Sequence, residues 1–205
     1  MSSDLKIQFL SNEEIKVKAA DFLSRFHPDN SIPVPIEEIV EFDLGINIIP
    51  MHGLRKAFEI DGFISSDLHD ITVDDSVSEL YPSRYRFTLA HEVGHIILHK
   101  ELFVTAKFSN YSDWKSFVNN ISEVDYKKLE WQANAFAGLV LVPAEHLEVA
   151  VKSCVEKIIR EGIDLKANWD FGWNLIASHI CGDFQVSPPV IERRIKFENL
   201  SDFYR

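Results

Sequence analysis

Several features are scarce in this 205-residue chain, and each scarcity removes a class of answer. Cysteine occurs only at Cys154 and Cys181, far apart and in no CxxC arrangement, which reads as reduced thiols and excludes a disulfide framework. Eighteen uninterrupted apolar residues occur nowhere, so no membrane span is expected. The start, Met1-Ser-Ser-Asp-Leu-Lys6, lacks a basic stretch followed by an apolar run. No signal peptide is therefore visible, and a cytoplasmic location is expected. Basic residues are also short. Lys and Arg number 21 against 32 Asp and Glu, giving a net charge of −11 and a pI near 5.1. That balance argues against direct nucleic-acid binding, which normally needs a basic face.

What is present is an ordinary globular composition, with 46% hydrophobic and 26% charged residues. At this length a single domain over residues 1–205 can bury its core without staples. Asn12-Glu-Glu followed by Ile15, Ala19, Phe22 and Phe26 predicts an amphipathic helix over 12–27, with Asn12 as its cap. Pro35 can open a short helix, Ile36–Phe42, that Gly45 ends, and Ile46–Ile49 reads as a strand. Ala57–Ser65 and Leu68–Val73 predict a hairpin around Ser65-Ser-Asp67. From Ser83 the pattern is helical nearly to the end, over 83–99, 112–120, 124–140, 144–161, 169–181 and 187–198. A small sheet followed by helices is an α+β pattern, with a core over about 30–143 and a helical C-terminal part over 144–205.

One motif carries chemistry. His91-Glu92-Val93-Gly94-His95 is HExxH. On a helix, positions four apart lie about 40° apart around the axis and about 6 Å along it. Two imidazoles so placed can converge on one Zn²⁺, and Glu92 can polarise a metal-bound water as general base. Leu89, Val93, Ile96 and Ile97 form an apolar stripe beside the histidines, as a half-buried active-site helix requires.

A catalytic zinc needs a third protein ligand and one open position. The best candidate is Glu130, 35 residues beyond His95, with Asn134 four further on to orient a histidine. Glu123 and Asp125 compete for the same role. His99 extends the motif to HExxHxxxH, but a continuous helix places it about 12 Å along the axis from His91, too far to close one site. It reads instead as a cation favoured by the helix C-terminus. His27, His52, His69, His146 and His179 sit among no other ligand types and read as structural.

The stretch Arg86-Phe-Thr-Leu-Ala-His-Glu-Val-Gly-His-Ile-Ile-Leu-His99 resembles the active-site helix of the ImmA/IrrE family of zinc metallopeptidases. Glu130-Trp-Gln-Ala-Asn-Ala-Phe-Ala137, followed by Leu139-Val-Leu-Val-Pro143, resembles that family's second signature, with Gln132 where a second acid is typical. Ile32–Val40 with Leu44-Gly-Ile46, and Phe184–Ile195, are weaker matches to its first helix and strand and its C-terminal helices. The resemblance implies a zincin-like fold, with Zn²⁺ held by His91, His95 and Glu130 and catalysis by Glu92. It also implies a narrow protein substrate, such as a separate helix-turn-helix repressor or antitoxin, and hence a place in transcription regulation or a toxin–antitoxin pair. The long interval between His95 and Glu130 implies an insertion around Phe103–Ile121.

Trp114, Phe117, Tyr126, Trp131 and Phe136 bracket the second signature and read as core packing. Tyr111 and Tyr126 are candidates for stabilising an oxyanion beside a metal. His179 to Arg194 has a helix-turn-helix cadence, but with Arg193, Arg194 and Lys196 the only cations nearby, helix–helix packing is expected. The rival to a peptidase is a zincin-fold module that binds a partner repressor without hydrolysing it, and the intact HExxH favours the enzyme.

Overall fold

The computed structural model describes residues 7–106, 108, 111–163, 165 and 169–203. Its first helix, α1 (Asn12–Phe26), is capped by Ser11. The Ser11 hydroxyl accepts from the Glu14 amide at 3.3 Å, and Glu14 Oε2 accepts from the Ser11 amide at 2.8 Å. This reciprocal box lies one residue before the expected cap at Asn12, because only Ser11 has a glutamate three residues on. Ile15, Ala19 and Phe22 form the buried face of α1, which packs on a later helix through an edge-on contact of Phe22 with Phe136, 5.6 Å between rings.

After Pro35 a short helix, α2 (Ile36–Glu38), widens into a π-helical turn over Ile39–Asp43. Gly45, at φ 65°, then turns the chain into strand β1 (Asn47–Met51). A short helix α3 (Leu54–Phe58) precedes β2 (Gly62–Ile64) and β3 (Asp70–Asp74). The expected hairpin is present but shorter: Ala57 and Phe58 are helical, ended by Glu59 in the left-handed region. The sheet order is β1-β3-β2, with β3 parallel to β1 and antiparallel to β2. Central placement explains why Ile71, Thr72 and Val73 are all buried, whereas the edge strand β1 is mostly exposed and tolerates Pro50. Asp74 ends the sheet and caps α4 (Asp75–Leu80) by accepting from the Ser76 amide at 3.0 Å.

Helices dominate thereafter: α5 (Pro82–Ala106), α6 (Tyr111–Asn120), α7 (Glu123–Leu141), α8 (Ala144–Arg160), α9 (Trp169–Phe184) and α10 (Pro188–Phe197). The result is the expected α+β fold, a small mixed sheet beside a mostly helical body. Among the described residues, no single helix is long and apolar enough to cross a membrane. Cys154 and Cys181 are both free, the first buried and the second half-buried. Ile180, Phe184, Val190, Ile191 and Ile195 are buried where α9 meets α10, so this pair packs as expected of core helices. Buried Arg194 fastens α10 to the end of α7: its Nε donates to the Val142 carbonyl at 3.1 Å. Its guanidinium pairs with Glu198 at 2.7 Å, and Glu198 also meets Lys16 of α1 at 2.9 Å.

The most extensive packing is between α5 and α7. Leu89 and Val93 of α5 and Leu129, Phe136 and Val140 of α7 are buried there. The two backbones approach closely at Gly94. A Cβ built on Gly94 would lie 3.1 Å from both the Cα and the carbonyl oxygen of Ala133 and 3.3 Å from the Phe136 ring. Those neighbours are mostly backbone and cannot rotate away. Gly94→Val should therefore destabilise the fold by about 1–3 kcal/mol through overpacking. For a chain of this size that lowers Tm by about 2–4 °C per kcal/mol, readable by calorimetry. An unchanged Tm would show that the helix pair has slack.

Candidate metal centre

The HExxH residues lie on the first part of α5, and Glu130 faces them from α7. His91 Nε2 is 3.0 Å from His95 Nε2, 3.4 Å from one Glu130 carboxylate oxygen, and His95 Nε2 is 3.6 Å from the other. Among the described residues, His91, His95 and Glu130 form the cluster that can hold a metal ion. Glu123 and Asp125 do not join it. They lie in the first turn of α7, where Glu123 pairs with Lys127 at 2.5 Å and Asp125 with Lys128 at 2.8 Å.

Hydrogen bonds on the far sides of the rings tell which atoms are free. Asn134 Oδ1 lies 3.3 Å from His91 Nδ1, the amide partner expected from the spacing, so that nitrogen carries the proton. His95 Nδ1 lies 3.1 Å from His99 Nδ1, and His99 Nε2 lies 3.1 Å from Gln132 Oε1. Gln132 Nε2 in turn donates to the Gln8 carbonyl at 3.0 Å. An amide oxygen only accepts, so His99 carries its proton on Nε2 and accepts at Nδ1 from His95. Every bond in this chain donates outward. With both rings neutral, the inward Nε2 atoms are lone pairs facing each other and a carboxylate, an arrangement that repels itself unless a proton or a metal cation lies between.

A tetrahedral zinc with ligands at about 2.0–2.1 Å separates its ligand atoms by about 3.3 Å. The observed separations of 3.0, 3.4 and 3.6 Å bracket that value. Two imidazoles and one carboxylate also match the donor set of catalytic zinc sites, with a fourth position left for water. The residues fit the ion.

His99 corrects an expectation. It is not a cation at a helix end but a residue only 7% exposed, at a point inside α5 where the chain departs from helical geometry (φ −129°, ψ 17°). Burial, with the adjacent His95, pushes its pKa down to about 3, so it is neutral. Gln132, fully buried, is its anchor. Sequence reasoning gave neither residue this role: the four-residue spacing from His91 through His95 to His99 was weighed only for direct ligation, and Gln132 only as a departure from the family signature.

Glu92 is 5% exposed and stands beside the cluster. Burial pushes its carboxyl above the ordinary range and Glu130 adds to this, against the opposing pull of His91, His95 and the Ile64 backbone. Burial works the same way on Glu130, but hydrogen bonds from His91 and His95 outweigh it and hold that carboxyl well below the usual range. His91 shifts upward: its burial is overcome by the hydrogen bond to Glu130 and the charge of Glu92.

These groups open into a cavity of about 280 Å³ whose wall includes Phe63, Phe87, Trp114, Phe117, Tyr126 and Asn134. The segment expected as an insertion therefore builds part of the site, since Trp114 and Phe117 come from α6. Phe103 also packs on the His95 ring at 5.2 Å. Tyr126 lines the same cavity; burial and the charges of Glu130 and Glu92 raise its pKa to about 12, keeping the phenol protonated. The Tyr111 side chain lies outside the described residues. Of the aromatics expected in the core, Phe117 and Phe136 are buried, but Trp131 is 41% exposed and stacks on Phe9 at 5.9 Å. The histidines read as structural each have a hydrogen-bond partner away from the cluster: His27 the Ser31 carbonyl, His69 the Asp67 carbonyl and His179 the Leu175 carbonyl nearby in sequence, and His52 Asp75 and His146 the Asn30 carbonyl across the fold.

None of the curated proteins matches the chain in sequence. Among solved structures, a Mycobacterium tuberculosis transcriptional regulator shares the fold, with a TM-score of 0.53 at 13% identity over 89% of this chain. The match spans 46% of that regulator's length, and at this identity it speaks for the fold alone. The family described as Peptidase_M78, IrrE N-terminal-like domain, matches residues 69–196, a stretch that contains His91, Glu92, His95 and Glu130. With more than half of its length matched, the chain belongs to the Peptidase_M78 family of zincin-like metallopeptidases.

Proposed function

We propose that this chain is a zinc-dependent peptidase that cleaves a peptide bond in one specific protein, a separate helix-turn-helix repressor or antitoxin. The observation that carries the reading is the convergence of His91 Nε2, His95 Nε2 and Glu130 beside a buried Glu92. His91, His95 and Glu130 hold the ion, with Asn134 and His99 keeping each imidazole in the tautomer that leaves Nε2 free. Zinc, when bound, supplies Lewis acidity toward a water and a peptide carbonyl. Glu92 takes the proton of the attacking water and hands it to the leaving amine nitrogen, a task suited to a carboxyl whose pKa burial has raised. Tyr126, protonated and facing the cavity, donates to the developing oxyanion. The apolar wall of Phe63, Trp114 and Phe117 limits access of bulk water.

Three measurements bear on this reading. Purified protein should carry about one zinc per chain, since three ligands make one site. Glu130→Ala should strip most of that metal, whereas Glu123→Ala and Asp125→Ala should leave it near wild type. Metal loss on Glu123→Ala instead would discard the ligand set.

His99→Ala should weaken zinc affinity by about 10–100-fold in a chelator competition, because His95 loses the acceptor that fixes its tautomer. An unchanged affinity would mean that His99 only fills space.

Glu92→Gln keeps shape but removes the base, so zinc should stay bound while cleavage of the partner repressor falls by about 100-fold or more. If wild type and Glu92→Gln act identically on the partner, the protein is a binding module and not a hydrolase.

A further inference from the structure

A second depression lies beside the cavity, between α7 and α10, with a volume of about 640 Å³. Phe87, Trp131, Val190 and Phe197 give it an apolar floor. Phe87, Tyr126, Glu130 and Asn134 line both spaces, so the groove runs directly into the cluster of His91, His95 and Glu130. Arg193 and Lys196, both exposed, project from α10 at its rim. Neither has a carboxylate partner among the described residues; Arg193 Nε donates only to the Pro189 carbonyl, at 3.2 Å. Lys127, also at the rim, is already paired with Glu123. Among the described residues, the one carboxylate lining the groove is Glu130, which faces the histidines. In a chain of net charge −11, this groove is thus a locally cationic site with an apolar floor.

We infer that the groove holds the substrate polypeptide as a segment with a large apolar side chain near the scissile bond and acidic residues a few positions further on. The inference rests on the peptidase reading, because it takes the cluster as the place of cleavage. Trp131 and Phe197 take the apolar side chain, and Arg193 and Lys196 take the carboxylates. Apolar burial supplies affinity, and the two charges select among sequences. A nucleic acid fits less well: two cations stand against a strongly acidic molecule, and phosphate contacts normally need a longer basic face.

Binding, measured without cleavage, tests this. Zinc-loaded Glu92→Gln protein is titrated into two fluorescein-labelled peptides that share a Phe-Leu core, one flanked by Glu and Asp, the other by Lys and Arg. The acidic peptide should bind about tenfold more tightly at low salt, the scale of two favourable surface pairs replaced by two unfavourable ones. The preference should fade at high salt. Double reversal, Arg193→Glu with Lys196→Glu, should invert the order; both side chains are exposed, and circular dichroism checks the fold. Trp131→Ala should weaken both peptides alike. Equal affinities, no inversion, or no binding of either peptide at about 1 mM overturns the proposal. So does a single-stranded oligonucleotide that binds through Arg193 and Lys196 when the acidic peptide does not. Because the probe protein cannot hydrolyse, failure here leaves the peptidase reading standing, and a wild type without hydrolysis leaves the groove to be judged by these affinities.

Discussion

The close approach of α5 to α7 at Gly94 and Ala133 is the constraint on which the rest of the structure depends. It lies within the HExxH stretch itself, one residue before His95, and opposite the stretch that carries Glu130 and Asn134. Hydrophobic burial of Leu89, Val93, Leu129, Phe136 and Val140 presses the two helices together on either side of that contact. The same force brings two imidazole nitrogens and both oxygens of Glu130 together at 3.0–3.6 Å, a gathering of lone pairs that would disperse without a proton or a metal between them. Apolar packing thereby preorganises a site for a cation.

Around this contact the supporting elements have divided duties. The sheet sets the floor under Glu92 through the Ile64 backbone, and Gly62 lets β2 lie close to α5, since a Cβ there would meet Thr88 Cγ2 at 2.9 Å. The segment around α6 closes one side of the site with aromatic rings, while α10, fastened by buried Arg194, bounds the open side. Glu130 stands where the two spaces meet. A polypeptide lying across the proposed ligands would therefore meet an enclosed apolar wall in one direction and a cationic rim in the other.

Much of this was legible in the sequence, and the exceptions share a cause. The α+β order, the long helices, the pairing of His91 with His95 and that of Glu130 with Asn134 follow from local periodicity and spacing, which are properties of single helices. The choice of Glu130 over Glu123 and Asp125 came from the family resemblance. Contacts that join distant segments were not legible. His99 looked like a cation at a helix C-terminus because nothing local reveals Gln132 against it. Gln132 looked like a flanking substitution because its partners, His99 and Gln8, lie 33 and 124 residues away. Trp131 was expected inside and lies half outside, stacked on Phe9, since its composition cannot say which side of α7 a neighbouring segment covers. The short helices α3 and α4 were missed because they follow from Gly53 in the left-handed region and from the Asp74 cap, not from any apolar stripe.

The hydrogen bond from Gln132 to the Gln8 carbonyl extends the outer support of His95 to the first described residues of the chain. Segments outside helices and strands usually open and close at little free-energy cost, exchanging their amides long before the core does. Here Ile7 and Leu10 are buried, and Phe9 lies against Trp131, so the segment is held more firmly than most. Its fraying would leave Gln132 short of an acceptor and let His99 rotate, relaxing an imidazole at the centre of the molecule. Amide exchange at residues 7–10 and the metal's dissociation rate would then be two readings of one opening motion.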